Sequence, residues 1–336
     1  KDPSFFYFEN KNTSKKSKFK ENIQKLFLSK DLKKMNYEVI NIKDNISQEI
    51  NEINHFYQRK IHRFSKDDVI EFDTIYSKAE FNIYLAFHIP TFYIFVVKEM
   101  LGKNKAPKRE ISFCNNYSHR CFTPFYGFIY KGEEINGLVY EYMSNGSLKE
   151  FIKKDINPIF QFTTLIRILQ GIHYLQSHCL IHRDLKPSNI LIDHDNNAYL
   201  SDFEYIRPVN EKKVNDNGDN PNNENDNSEF TNDFGSCIYA SPEQDEGTGI
   251  SYQTDIYSFG ALVYFILEKK NMFSEISNFD EIVILKLSQK FPDIINCTEN
   301  IQKLYKKCMN IIPLNRPNLD EIKNVILEET RPIQFL

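Results

Sequence analysis

The chain has 336 residues, of which 41% are hydrophobic and 26% charged, and its formal net charge is −4. This composition excludes a fibrous, a wholly disordered or an entirely membrane-embedded chain. The small net charge gives no general attraction to nucleic acid or to an anionic membrane surface, so we expect neither as a main partner.

The six cysteines are scattered through the sequence without a CxxC pair. This spacing argues against a zinc ribbon and against a disulfide framework, and it favours reduced thiols in a cytoplasmic protein. The sequence starts at Lys1 without a methionine or an apolar signal segment. We therefore expect a fragment of a longer protein and no secretory signal.

The character of the sequence changes near residue 69. Residues 1–68 combine a lysine-rich stretch with apolar residues at helical spacing, which predicts a basic helical extension or an arm that docks an acidic partner. The segment 69–143 is rich in strand-forming residues. Within it, residues 81–97 are as apolar as a membrane span, but the run is short and is interrupted by His88 and Pro90. We therefore predict two strands of a buried hairpin and no membrane span.

Residues 144–330 have a predominantly helical pattern. Apolar residues recur at helical spacing from Phe160 to Ile172, and further helical runs follow at 254–267, 280–289, 299–309 and 319–329. The insertion 209–233 consists mainly of Asn, Asp and Glu, and we expect a mobile surface loop because it has little apolar surface to bury. Residues 331–336 form a tail. The segments together predict an α+β protein with a strand-rich first part and a larger helical second part.

The strongest chemical signal is the string HRDLKPSN at 182–189. It places a carboxylate at Asp184, a lysine two residues later at Lys186 and an amide five residues later at Asn189. A base, a cation and a metal ligand at this spacing can surround one transferring phosphoryl group. The string resembles the catalytic loop of the eukaryotic protein kinases, which implies a two-lobed fold with a small antiparallel sheet and one main helix in the first lobe.

Other motifs of that family occur in family order before the catalytic loop. Lys98 in FVVKEM resembles the lysine that binds the α- and β-phosphates of ATP, and Glu110 lies on a helix from which it would pair with Lys98. Their separation of twelve positions is small, so this helix is expected to be short. The string GLVYEYM resembles the hinge, which makes Tyr140 the gatekeeper and places the backbone of Glu141 and Met143 at the adenine.

The motifs after the catalytic loop complete the resemblance. Asp202 in SDFE would hold Mg²⁺ together with Asn189. The string SPE at 241–243 resembles the end of an activation segment, whose Glu243 would form an ion pair with Arg316. Asp255 in TDIYSFG would be the buried anchor of the catalytic loop.

The resemblance implies a protein kinase that uses ATP with Mg²⁺, or with Mn²⁺ in its place, and acts on protein substrates. Lys186 and Ser236 follow the serine/threonine-specific pattern, and features of the hinge exit resemble the tyrosine-kinase-like group. Arg183 before Asp184 implies control by a regulatory kinase acting on Thr231 or Ser228. Alternatively, the acidic insertion supplies carboxylates to Arg183 and the activity is constitutive.

Two departures from the family pattern keep a second function open. The segment expected to cover the phosphates contains Ser77, Ala79 and Asn82 but no glycine, and Glu80 would repel phosphate. Glu204 stands where the magnesium-binding turn has glycine, and two carboxylates about 6 Å apart repel by about 3 kcal/mol. We expect Glu204 to bias this turn away from the crowded arrangement. The alternative function is a pseudokinase that acts as a binding scaffold.

A calcium loop is the weaker interpretation of one acidic stretch. Asp193, Asp195, Asn197 and Glu204 have the spacing of ligands in an EF-hand, but Ala198 stands where that loop needs glycine. The flanking residues have the pattern of strands rather than helices. We therefore predict a β-turn that joins two short strands.

Overall fold

The computed structural model describes residues 61–101, 108–209, 237–247, 249–295 and 297–330. The chain divides into two compact units. The first contains the described residues up to Asn115 together with Pro124–Tyr142, and the second contains Asn116–Thr123 and the described residues from Met143 onward. The helical predictions for residues 1–60, the insertion from residue 210 and the tail fall outside the described residues.

The first unit is built on a six-stranded sheet with the strand order β1-β5-β6-β4-β3-β2. Its strands are β1 His62–Ser65, β2 Val69–Ser77, β3 Phe81–His88, β4 Tyr93–Met100, β5 Phe125–Lys131 and β6 Glu134–Glu141. Helix α1 spans Lys108–Asn116. The predicted hairpin within 81–97 is confirmed, because β3 and β4 pair in antiparallel register with Ile83 opposite Lys98. Side chains such as Tyr84, Phe95 and Val97 form its core.

Strand β1 lies where a helical extension was expected up to residue 68. It also adds a parallel pair to a sheet that was expected to be antiparallel. It pairs in parallel with β5, and Phe64 is buried in the core of the sheet. Gly127 permits this pairing: its φ is +155°, and a Cβ there would lie 2.0 Å from the carbonyl oxygen of His62. A four-residue strand is too short to show an alternating pattern, so the sequence did not separate it from the residues before it.

The second unit is mostly helical. Its helices are α2 Leu148–Phe151, α3 Pro158–Ser177, α4 Pro242–Asp245, α5 Tyr252–Glu268, α6 Phe279–Leu287, α7 Glu299–Cys308 and α8 Leu319–Thr330. Every helical run predicted for 160–329 is present, and the predicted α+β class is confirmed. Among the described residues, no helix is long and apolar enough to cross a membrane.

Short strands bring the loops of the second unit into place. They are β7 Leu180–Ile181, β8 Ile190–Ile192, β9 Ala198–Leu200 and β10 Arg207–Pro208. Strands β8 and β9 form an antiparallel hairpin, as predicted. Asp193 fills its turn by accepting hydrogen bonds from the backbone N–H groups of Asp195 and Asn197 at 2.9 and 2.7 Å. The carboxylate of Asp193 thus stabilises the turn between β8 and β9, which agrees with the prediction of a β-turn rather than a calcium loop.

Candidate active site

Lys98 and Glu110 form a buried ion pair in the first unit. Strand β4 directs Lys98 to one face of the sheet and its neighbour Glu99 to the other. The Nζ atom of Lys98 lies 2.7 Å from Oε2 of Glu110, and the two residues are 7% and 1% exposed. Helix α1, with nine residues, is as short as expected, and Glu110 lies in its first turn, where the helix dipole favours a carboxylate. The predicted contact is therefore present.

A second hydrogen bond orients the other oxygen of Glu110. The hydroxyl of Tyr140 donates to Oε1 of Glu110 at 2.7 Å, and it lies 3.4 Å from Sγ of Cys114. Burial of this hydroxyl raises the pKa of Tyr140 well above its usual range, so the phenol stays protonated and remains a donor. The sequence predicts Tyr140 only as a gatekeeper, and no pattern in it indicates this hydrogen bond.

The turn between β2 and β3 does not use glycine-only conformations. Ser77 pairs with Asn82 across the two strands, and the N–H of Lys78 donates to the carbonyl of Phe81 at 2.9 Å. No residue from 77 to 82 has a positive φ. The missing glycines therefore cause no left-handed backbone strain in this turn. Whether Ser77, Ala79 and Asn82 contact nucleotide stays a prediction.

Glu141 and Met143, the expected adenine-binding residues, fall at the end of the first unit and at the start of the second. Glu141 is the last residue of β6, and its N–H donates to the carbonyl of Pro124 at 2.9 Å. Met143 is buried, and its carbonyl accepts from the N–H of Gly146 at 3.0 Å. Their contact with adenine stays a prediction.

The loop that carries Asp184 is fixed in the second unit by Asp255. The carboxylate of Asp255 accepts hydrogen bonds from the backbone N–H groups of His182 and Arg183 at 2.8 and 2.9 Å. Asp255 is 0% exposed, so the predicted buried anchor is present. Arg183 has a φ of 71°, a conformation that costs a side-chain-bearing residue about 1 to 2 kcal/mol. The two hydrogen bonds offset this cost.

Lys186 and Asn189 both contact the same carboxylate oxygen of Asp184. Oδ2 of Asp184 lies 2.9 Å from Nζ of Lys186 and accepts from Nδ2 of Asn189 at 2.7 Å. The same amide nitrogen donates to the carbonyl oxygen of Asp184 at 2.9 Å. Burial raises the pKa of Asp184, and the charge of Lys186 opposes this effect. The arrangement can accept a proton from a hydroxyl group at Asp184 and neutralise negative charge at Lys186.

His182 connects the Asp184 loop to the residues that follow β9. Its ring nitrogens lie 3.2 Å from the carbonyl oxygen of Ser201 and 3.4 Å from the N–H of Asp184. Burial lowers the pKa of His182, which favours the neutral ring that can donate on one side and accept on the other. Phe203, 2% exposed, packs against this ring at 5.2 Å. The apolar residue that follows Asp202 is thus buried.

The carboxylates of Asp202 and Glu204 lie close together. Asp202 has a φ of 60°, and one of its carboxylate oxygens lies within 4.8 Å of one from Glu204. The expectation that Glu204 biases the turn away from the crowded arrangement is therefore wrong. The left-handed backbone at Asp202 turns the chain so that the two side chains converge in spite of their repulsion.

The donor set of the second unit fits Mg²⁺. The amide of Asn189 uses its nitrogen to bind Asp184, so its oxygen is the atom that can serve as a metal ligand. Asp202 adds a carboxylate oxygen, and Mg²⁺ prefers such hard oxygen ligands. Ligation by Asn189 and Asp202 stays a proposal.

Glu243 and Arg316 form the predicted ion pair. The guanidinium donates from NH1 to Oε1 of Glu243 at 2.6 Å and from NH2 to Oε2 at 2.8 Å. The Arg316 side chain is 0% exposed. This bidentate pair fixes α4 at the end of the candidate activation segment. The candidate acceptors Ser228 and Thr231, and also Ser236, lie outside the described residues.

Comparison with known proteins agrees with this geometry. The family model described as protein kinase domain matches residues 80–326, more than half of the chain. A probable LIM domain-containing serine/threonine-protein kinase of Dictyostelium discoideum is 29% identical over 207 residues, 61% of this chain and 30% of that protein. A leucine-rich repeat receptor-like serine/threonine-protein kinase of Arabidopsis thaliana is 28% identical over 219 residues, 59% of this chain and 21% of that protein.

A leucine-rich repeat receptor-like protein kinase of Arabidopsis thaliana aligns over a longer stretch. It is 26% identical over 311 residues, which cover 80% of this chain and 28% of that protein. The chain thus spans less than a third of the length of these relatives.

We predict that Glu204→Gln stabilises the protein in buffer without divalent cations. At 4.8 Å, the repulsion between the two carboxylates is about 3 kcal/mol at an effective dielectric of about 20, and solvent screening reduces it because both residues are half-buried. The melting temperature of the variant should exceed that of the wild type in a chelator, and excess Mg²⁺ should narrow the difference. Glu281→Gln, at an exposed position of α6, is the control. A difference that Mg²⁺ leaves unchanged would contradict the prediction.

We predict that Glu243→Gln lowers the free energy of unfolding by about 3 to 5 kcal/mol at neutral pH, because Arg316 is left buried without its counter-charge. Burial favours the neutral acid, but the hydrogen bonds and charge of Arg316 outweigh it, and the pKa of Glu243 lies below its usual value. The wild type should lose this stability as the pH falls through that lowered pKa, so the two proteins should converge in acid.

Denaturant unfolding of both proteins across pH measures this effect. Glu299→Gln removes an exposed ion pair with Lys303 and should change nothing measurable. An equal loss in the two variants, or a difference between wild type and Glu243→Gln that persists below the lowered pKa, would argue against the prediction.

Proposed function

The chain belongs to the protein kinase family, and from this premise we propose that it is a protein serine/threonine kinase that transfers the γ-phosphate of Mg-ATP to protein substrates. One observation carries the proposal: Lys186 and Asn189 both bind the Asp184 carboxylate on a loop that Asp255 fixes. Phosphoryl transfer depends mainly on positioning and on charge stabilisation, which this arrangement supplies.

In this function, Asp184 orients the Ser or Thr hydroxyl group and accepts its proton as the hydroxyl oxygen bonds to the γ-phosphorus and ADP leaves. Lys186 stabilises the negative charge on the transferring group, and Lys98, oriented by Glu110, binds the α- and β-phosphates. Asn189 and Asp202 would hold Mg²⁺, or Mn²⁺ in its place, and the bound metal would neutralise charge on the phosphates. Ser77, Ala79, Asn82, Glu141 and Met143 are the further proposed nucleotide contacts.

Several observations support the finer parts of this proposal. The names of similar proteins in Dictyostelium and Arabidopsis include serine/threonine specificity. None of the six cysteines forms a disulfide, in line with a cytoplasmic location. Arg183 directly precedes Asp184, and a guanidinium at this place can pair with a phosphate on the activation segment, so control by a second kinase is part of the proposal. Protein substrates are the proposed partners.

A pseudokinase that binds partners is the second candidate. The tight glycine-free turn after β2 and the additional carboxylate of Glu204 favour it, because both alter the parts that would meet phosphate and metal. The complete set of Lys98, Glu110, Asp184 and Asn189 favours catalysis.

We predict that Asp184→Asn lowers phosphate transfer by at least about 100-fold, because the general base is lost while the loop stays fixed. The measurement is incorporation of labelled phosphate from ATP into a mixed peptide library, with separate detection of phosphoserine, phosphothreonine and phosphotyrosine. Asp195→Asn, in the exposed part of the β8–β9 turn, is the matched control and should leave transfer unchanged.

Equal incorporation by wild type and Asp184→Asn would contradict catalysis. If the wild type then bound Mg-ATP at equilibrium, the scaffold function would replace the kinase function. Incorporation confined to tyrosine would contradict the proposed serine/threonine specificity.

A further inference from the structure

Helix α6 buries a lysine and exposes apolar residues. Lys286 is 2% exposed, whereas Ile284 and Leu287 on the same helix are 64% and 46% exposed. Ile282, four residues before Lys286 and therefore on the same face, is 0% exposed. Burial of an ammonium group costs several kcal/mol unless its hydrogen bonds are satisfied. The inward position of Lys286 therefore needs a specific compensation.

Three acceptors provide this compensation. Nζ of Lys286 donates to the carbonyl oxygens of Cys237 and Ala240 at 2.7 and 2.9 Å and to Oδ2 of Asp245 at 2.7 Å. An ammonium group has three N–H donors, so each has one acceptor. An apolar residue at this position would leave two carbonyls and the carboxylate of Asp245 without this donor.

The acceptors belong to one segment, 237–245, which precedes and includes α4. The carbonyl of Tyr239 accepts from the hydroxyl of Ser258 at 2.8 Å, and the hydroxyl of Tyr239 donates to Asn271 at 2.6 Å. At the other end, Nε2 of Gln244 donates to the carbonyl oxygen of Arg183 at 2.6 Å. The segment that Lys286 holds is thus hydrogen-bonded to the residue just before Asp184.

We propose that Lys286 is a positioning residue that fixes the 237–245 segment as the surface on which a polypeptide substrate lies next to Asp184. This inference rests on the proposed kinase function. An acceptor hydroxyl must come within hydrogen-bond distance of Asp184. The 237–245 segment is hydrogen-bonded to the residue just before Asp184, so residues that flank this hydroxyl in a polypeptide come close to the segment. Because one ammonium group holds two carbonyls and Asp245, it gives the segment a single conformation before substrate arrives.

Lys286→Met keeps the length of the side chain and removes its charge and its donors. We expect the KM for a peptide substrate to rise by about tenfold, equivalent to about 1.4 kcal/mol, while kcat and the KM for ATP change by less than about twofold. Lys286→Arg retains a cation and should give a smaller rise. Lys303→Met, at an exposed position of α7, is the matched control and should change neither constant.

A second measurement does not depend on catalysis. Backbone amide hydrogen exchange should become faster within 237–245 in Lys286→Met, and to a lesser degree in Asp245→Asn, and it should stay unchanged in Lys303→Met. Asp245→Asn keeps both carbonyl contacts of Lys286, so it remains informative if Lys286→Met does not fold.

The outcomes separate the two proposals. Faster exchange together with a raised peptide KM supports the positioning role. Unchanged exchange, or a loss confined to kcat, overturns it. Absence of Asp184-dependent transfer in the wild type overturns the kinase function and with it the substrate role of the segment, whereas the exchange data still decide whether Lys286 holds the segment.

Discussion

The carboxylate of Asp255 holds the loop on which the candidate chemistry depends. It accepts hydrogen bonds from the backbone N–H groups of His182 and Arg183. These two hydrogen bonds keep Arg183 in a positive-φ conformation just before Asp184. Burial raises the pKa of Asp255, which means that ionisation inside the protein is costly and that the loop conformation depends on the hydrogen bonds that offset this cost. Two other residues of α5, the helix that carries Asp255, hold the 237–245 segment. Thr254 donates to Glu243 at 3.3 Å, and Ser258 donates to the carbonyl of Tyr239. Helix α5 therefore positions both the Asp184 loop and this segment.

The parts that the sequence predicts well are those whose signal is local. The HRDLKPSN string brings Asp184, Lys186 and Asn189 together because only a few residues separate them, and a short loop cannot place them far apart. Lys98 lies on a strand because its neighbours are apolar and β-branched. The C-terminal helices follow from apolar periodicity alone. The ion pair of Glu243 with Arg316 joins distant residues, and it was predicted only through the family resemblance.

The parts that the sequence misses depend on distant residues without a pattern. Tyr140 contacts Glu110 because strand β6 lies next to helix α1. Neither sequence segment has a pattern that predicts its contact with the other. Lys286 lies in an apolar helix, where the pattern alone indicates an exposed lysine and a buried isoleucine. Lys286 is buried instead, because it donates to the backbone carbonyls of Cys237 and Ala240. The position of a backbone carbonyl cannot be predicted from side-chain patterns in a sequence. Glu204 was expected to avoid Asp202, but the left-handed conformation of Asp202 brings their carboxylates together.

Asp255→Asn tests most directly whether this buried carboxylate presets the Asp184 loop for transfer. An amide side chain is uncharged and has one acceptor oxygen in place of two, so both backbone N–H groups lose a charged acceptor and one of them faces an NH2 donor instead. We expect this loss to cost about 1.5 to 3 kcal/mol. If that cost enters the barrier, the rate of a single turnover falls by about 10- to 150-fold, while equilibrium binding of Mg-ATP stays within about twofold. Full single-turnover activity in the folded Asp255→Asn protein would contradict the account.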